Sequence, residues 1–143
     1  MRLLSVWLTF IMAASAQQPV SVRLADAIAA PARYNHVMVD VSEEFQAPAE
    51  SQWYLCALGC AQSASMNDLV LFHVPGSFSD EASFRRLEAT GRTAKHVRVR
   101  AVGEFEACDS ACWGFPPSFR FRLVVTKIIE VETSDRPFTR VAR

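Results

Sequence analysis

Hydrophobic and polar residues alternate with a period of two through several stretches of this chain, the signature of half-buried strands. In 36–41, Val37, Val39 and Val41 point one way and His36, Met38 and Asp40 the other. Residues 53–58 and 69–74 read as the second and third strands. The clearest alternation is 96–105, where Val97, Val99, Ala101, Gly103 and Phe105 share a face. The fifth is 118–131, with Phe119, Phe121, Leu123 and Val125 interleaved with Arg120 and Arg122. Two segments break the period. Residues 24–30 are alanine-rich and predict a short helix ended by Pro31. Ser79-Asp80-Glu81 predicts the start of a second helix, capped by Ser79, with Phe84 and Leu87 on its apolar side, a Glu81–Arg85 pair and a stop at Gly91. Residues 133–143 are polar and predict a flexible tail.

Helix, three strands, helix, two strands is the layout of an OB-fold, a five-stranded Greek-key barrel with a helix between its third and fourth strands. A plain β-sandwich or another small barrel is the competing arrangement. The lead-in Leu24-Ala25-Asp26-Ala27-Ile28 with Pro31-Ala32-Arg33-Tyr34-Asn35, running into Val37–Val41, resembles that of small exported bacterial OB-fold-like domains. Gly91-Arg92, followed by 96–103, is similar to their fourth strand. At the start of the first strand Asn35-His36 stands where a glycine and a basic residue are usual. The resemblance spans roughly 22–132 and implies a fold, with no catalytic residues to carry over.

The first sixteen residues, MRLLSVWLTFIMAASA, have the three parts of a secretory signal: Arg2, an apolar run from Leu3 to Ala14, and the small residues Ala14-Ser15-Ala16 before Gln17. The apolar run is too short for a spanning helix. Cleavage after Ala16 leaves 127 residues, enough for one domain over 17–132 and the tail. Their formal charge is −1, from 14 basic and 15 acidic residues, which disfavours a polyanion binder such as a nucleic-acid protein. No later segment is apolar enough to span a membrane. The expected compartment is a bacterial periplasm or the exterior.

Four cysteines fall at one repeated spacing, Cys56 with Cys60 and Cys108 with Cys112. An even count behind an export signal predicts structural disulfides. Two local pairs are the favoured connectivity, with cross-pairing left open. The alternatives are a thiol–disulfide exchange site at Cys108 and Cys112, which lacks the C-x-x-C spacing and helical setting of redox motifs, and a four-cysteine zinc site, which an oxidising compartment opposes.

Candidate ligand residues come in two groups. Arg98 and Arg100 on the fourth strand, with Arg120 and Arg122 on the fifth, form an outward arginine stripe if those strands are neighbours. Trp53, Tyr54 and Phe72 lie on the second and third strands, the usual ligand face of OB domains, with Trp113 and Phe115 in the second cysteine loop. His36, His73 and His96 show no metal-ligand spacing, so no metal or cofactor is expected. Asp40, Glu43 and Glu44 read as a solubilising cluster at the end of the first strand. No nucleophile elbow, P-loop, zinc-protease or dinucleotide motif occurs. The sequence therefore reads as a non-catalytic binding module for an envelope protein, a glycan or a small anionic ligand. Thiol exchange and nucleic-acid binding are the alternatives.

Overall fold

The computed structural model describes residues 18–49, 52–62 and 65–139. The signal expected over 1–16 and the cut before Gln17 lie outside the described residues. Among the described residues six strands and three helices follow in order: β1 (Val20–Ser21), α1 (Leu24–Ala29), α2 (Pro31–Tyr34), β2 (Val37–Ala49), β3 (Gln52–Cys56), β4 (Leu69–His73), α3 (Glu81–Thr93), β5 (His96–Ala107) and β6 (Phe121–Ser134). A single 3₁₀ turn, Met66–Asp68, precedes β4.

Strands β2, β3, β4, β6 and β5 hydrogen-bond in that order, and β5 pairs back onto β2 to close the barrel. All five pairings are antiparallel except β4 with β6, which run parallel. With β2 as the first barrel strand, this is the OB-fold: the chain crosses through α3 between the third and fourth strands, and the fifth inserts between them. Closure leaves no free barrel edge. The short β1 adds in parallel beside β2.

The alternating residues fill the interior as their period requires. Val97, Val99, Ala101 and Phe105 on β5 are buried, as are Phe121, Leu123 and Val125 on β6 and Val39 and Val41 on β2. Leu24 and Ala27 of α1 and Leu87 of α3 bring the helices into the same core. Gly103 is glycine because β6 passes too close for a side chain: a Cβ there would lie 2.5 Å from the Val124 carbonyl oxygen.

Several boundaries differ from those predicted, each for a local reason. Pro31 ends α1 but also opens α2, since a missing N–H costs nothing at the first helical position. The cap of α3 is Asp80 rather than Ser79; its carboxylate accepts from the Ser83 N–H at 3.2 Å. The expected Glu81–Arg85 pair forms, with Arg85 Nε donating at 3.0 Å. Gly91 does not stop α3, which runs on to Thr93. Its role is clearance, because a Cβ would sit 2.8 Å from the Phe45 ring. Strand β2 runs on to Ala49, through the acidic residues expected to end it, because both glutamates find donors. Glu43 Oε1 accepts the Leu24 N–H at the start of α1 at 2.9 Å, and Glu44 Oε2 accepts the Cys60 N–H at 3.0 Å. Strand β6 reaches Ser134, and Phe138 lies under the Arg98 guanidinium 4.6 Å from its ring centroid, so ordered contacts extend into the segment read as a tail.

The cysteines pair locally. Cys56 bonds Cys60 and Cys108 bonds Cys112, with Cα–Cα separations of 5.0 and 6.3 Å, and no described cysteine is free. No helix among the described residues is long and apolar enough to cross a membrane.

Candidate functional site

The loop joining β5 to β6 folds back over the barrel wall, where its rings meet side chains of β3 and β6. It is a hairpin of its own. The Cys112 and Trp113 amides donate to the Phe119 carbonyl, and the Ser118 and Phe119 amides donate to the Trp113 carbonyl. The Cys108–Cys112 disulfide closes its base. Gly114, at φ 96°, makes a turn that most side chains resist. Phe115 stands at the tip, 94% exposed. Such an exposed phenyl ring gains nothing for the fold.

Two ring contacts set where the loop lies. Phe119 packs against Tyr54 on β3, centroids 6.1 Å apart. Trp113 lies under the Arg122 guanidinium of β6, 4.8 Å from the ring centroid. Tyr54 pairs with Leu71 of β4, and Leu71 pairs with Arg122. The loop therefore leans over one row of outward positions crossing β3, β4 and β6. The row continues in both directions. Gln46 of β2 stands beside Tyr54 and accepts its phenolic proton at 2.7 Å, while burial raises the Tyr54 pKa and keeps that proton in place. Beyond Arg122 comes Glu106 of β5, whose Oε2 accepts from Arg122 Nε at 2.6 Å. His73 of β4 lies two residues along from Leu71, on the same face of the strand. Its pKa is lowered, first by burial and then by the Arg122 charge, against a smaller upward pull from Glu106.

The predicted aromatic set divides across the barrel wall. Tyr54, Trp113 and Phe115 belong to this outer face. Trp53 turns inward against Phe84 of α3, centroids 5.0 Å apart. Phe72 is 1% exposed and packs edge-on against Phe45 at 5.3 Å. Adjacent strand residues point to opposite faces, so Trp53 and Tyr54 have to part.

The arginines also divide, and the single stripe does not form. β5 and β6 are neighbours as expected, but antiparallel: Arg98 and Arg100 stand opposite Glu132 and Glu130, whereas Arg122 stands opposite Glu106. About 20 Å of strand separates the two ends at 3.3 Å per residue. Each guanidinium also has a partner. Arg98 Nε donates to Glu132 at 3.2 Å. Arg100 grips both oxygens of Asp40 at 3.0 and 2.8 Å. Arg120 Nε reaches the Cys108 carbonyl at 3.4 Å. An anion would have to displace a carboxylate at three of the four.

Arg98 and Arg100 line an open groove of about 850 Å³ with Asp26, Asp40, Glu44 and Phe138. Within it Arg100 pairs with Asp40, Glu43 accepts the Leu24 N–H and Arg98 lies over the Phe138 ring, contacts that join β5 to β2, α1 to β2 and the tail to β5.

One constellation was invisible in the sequence. His36, Glu104 and Glu106 place a ring nitrogen and two carboxylate oxygens all within 4.8 Å of one another. His36 Nδ1 lies 3.7 Å from Glu104 Oε1. The separation along the chain hides it, and only the antiparallel pairing of β2 with β5 reveals it. Glu104 at the end of the predicted strand, with Glu106 just beyond its expected bound, was the available clue.

No protein-family model matches the chain, and no curated protein does.

Proposed function

We propose that this chain is an exported, non-catalytic binding module that holds a glycan on the β3–β4 face beneath the loop tip. Export rests on the amino-terminal signal pattern together with the two disulfides. The observation that carries the binding reading is Phe115, an exposed phenyl ring at the tip of a loop braced by a disulfide, by Tyr54–Phe119 and by Arg122–Trp113. Strands two and three of an OB barrel, with the loop between four and five, are where such folds take oligosaccharides and oligonucleotides. A sugar ring offers a flat C–H face for Phe115 and hydroxyls for Gln46, His73 and the tyrosine oxygen. A nucleic-acid ligand is the poorer fit, because the arginines near this face already hold Glu106 or a backbone carbonyl and the overall charge is near neutral.

Thiol–disulfide exchange is the rival from a different class. Neither Cys108 nor Cys112 begins a helix, so the helix-terminus contribution that activates many exchange thiols is missing there.

Calorimetric titration with neutral and acidic oligosaccharides, chitotetraose and muropeptides among them, tests the reading. Saturable binding is expected, weakened at least tenfold by Phe115→Ala. Binding of equal strength in that variant, or binding confined to an oligonucleotide control, would contradict it.

A further inference from the structure

We propose that His36, Glu104 and Glu106 form a binding site for a divalent transition-metal ion of the zinc type. An imidazole nitrogen with two carboxylates is a donor set that such ions accept, with bonds of about 2.0–2.2 Å. Donors at that radius around a tetrahedral centre lie about 3.4 Å apart. The His36–Glu104 pair is already at 3.7 Å, and all three donors lie within 4.8 Å. Closing the rest takes a shift of about 1 Å, for which His36 at 67% and Glu104 at 38% side-chain exposure have room while Glu106 stays largely covered.

The backbone holds the three in place. Glu104 and Glu106 share the outer face of β5, two residues apart on a strand paired on both sides. His36 is fastened to the same strand twice: its own N–H donates to the Phe105 carbonyl at 2.7 Å, and the neighbouring Asn35 Oδ1 accepts from the Ala107 N–H at 2.9 Å. With φ at 62°, His36 occupies a conformation that glycine would adopt freely. Glycine there would give the same turn without an imidazole.

The charged neighbours suit the purpose. Arg122 Nε donates to Glu106 Oε2 and fixes the carboxylate as metal-ligand carboxylates are commonly fixed, by an outer hydrogen bond. That same guanidinium is the cation bonded to the site, and the two glutamates offset it. Three protein donors leave at least one coordination position for water or an anionic ligand atom. This site shares Glu106 and Arg122 with the row beneath the loop, but its metal binding does not depend on the glycan reading.

The test is a calorimetric titration of Zn²⁺ into the purified chain with its disulfides intact, in a buffer that does not bind metal. One ion per chain is expected, with affinity reduced at least tenfold by His36→Ala and by Glu104→Gln and unchanged by His96→Ala. Glu104→Gln keeps the side-chain shape, and His36 is exposed, so both variants are expected to fold; circular dichroism checks this. In parallel, the His36 imidazole signals should move on adding Zn²⁺ while those of His96 stay. No saturable binding up to millimolar Zn²⁺, undiminished affinity in both variants, or loss on His96→Ala would each overturn the proposal.

Discussion

Single residues in this barrel are constrained by what lies opposite them, and two glycines show the range. Gly103 faces the backbone of β6, where a Cβ would meet the Val124 carbonyl oxygen at 2.5 Å; Gly76 has nothing within 4 Å. Backbone cannot rotate away as a side-chain tip can. Gly103→Ala should therefore destabilise by about 2–3 kcal/mol, and Gly76→Ala should stay within about 0.5 kcal/mol of the parent. Denaturant unfolding of both variants checks the contrast, and equal midpoints would refute it. His73 offers a second residue-scale test. Its folded pKa lies below the ordinary 6.5, through burial first and the Arg122 charge second, with Glu106 opposing. Above about pH 6.5 the ring is neutral in both states. As the pH falls below that, the unfolded chain takes up the proton first, so this group's contribution to stability is lost until the folded pKa is passed. Arg122→Gln removes the repelling charge and frees the Glu106 carboxylate, and both changes should raise the His73 pKa. Imidazole titration by NMR reads the shift, and an unchanged or lower value would show that Arg122 does not act on this ring.

At the scale of elements, the disulfides brace loops rather than the barrel. Each closes a loop of about five residues, for which chain entropy gives about 2 kcal/mol. The double variant Cys108→Ser with Cys112→Ser should lose no more than about that amount and keep the barrel. Its ¹⁵N–¹H spectrum should change around 108–119 and little on β2 and β5. Collapse of the whole spectrum would mean that the barrel depends on the loop. What was legible in the sequence follows the same division. β5 could be read directly, because every second residue from Val97 to Phe105 is small or apolar and every one is buried. The length of β2 could not: Glu43 and Glu44 look like the end of a strand until their donors, the amides of Leu24 and Cys60, are brought from elsewhere. Gly91 looked like a helix stop because its true constraint, the Phe45 ring, lies on a different element.

For the molecule as a whole, barrel closure decides which residues meet. The strand order and the helix position were legible from periodicity, since an OB barrel places helix and strands in a fixed sequence. The surfaces were not, because each depends on register. The row through Gln46, Tyr54, Leu71, Arg122 and Glu106 winds around the wall and comes back to β2 beside His36, the stagger that a closed sheet requires. Antiparallel register splits the arginines and gathers His36 with two glutamates. The row and the loop above it make one face, the one proposed to hold the glycan. That proposal is tested most directly by a ¹⁵N–¹H map of the chain with an oligosaccharide at saturation. The account predicts shifts concentrated at Tyr54, His73, Trp113, Phe115 and Arg122, with Arg98 and Arg100 unmoved. Shifts confined to the Arg98–Arg100 groove, or no saturable binding of any sugar in the set, would contradict it.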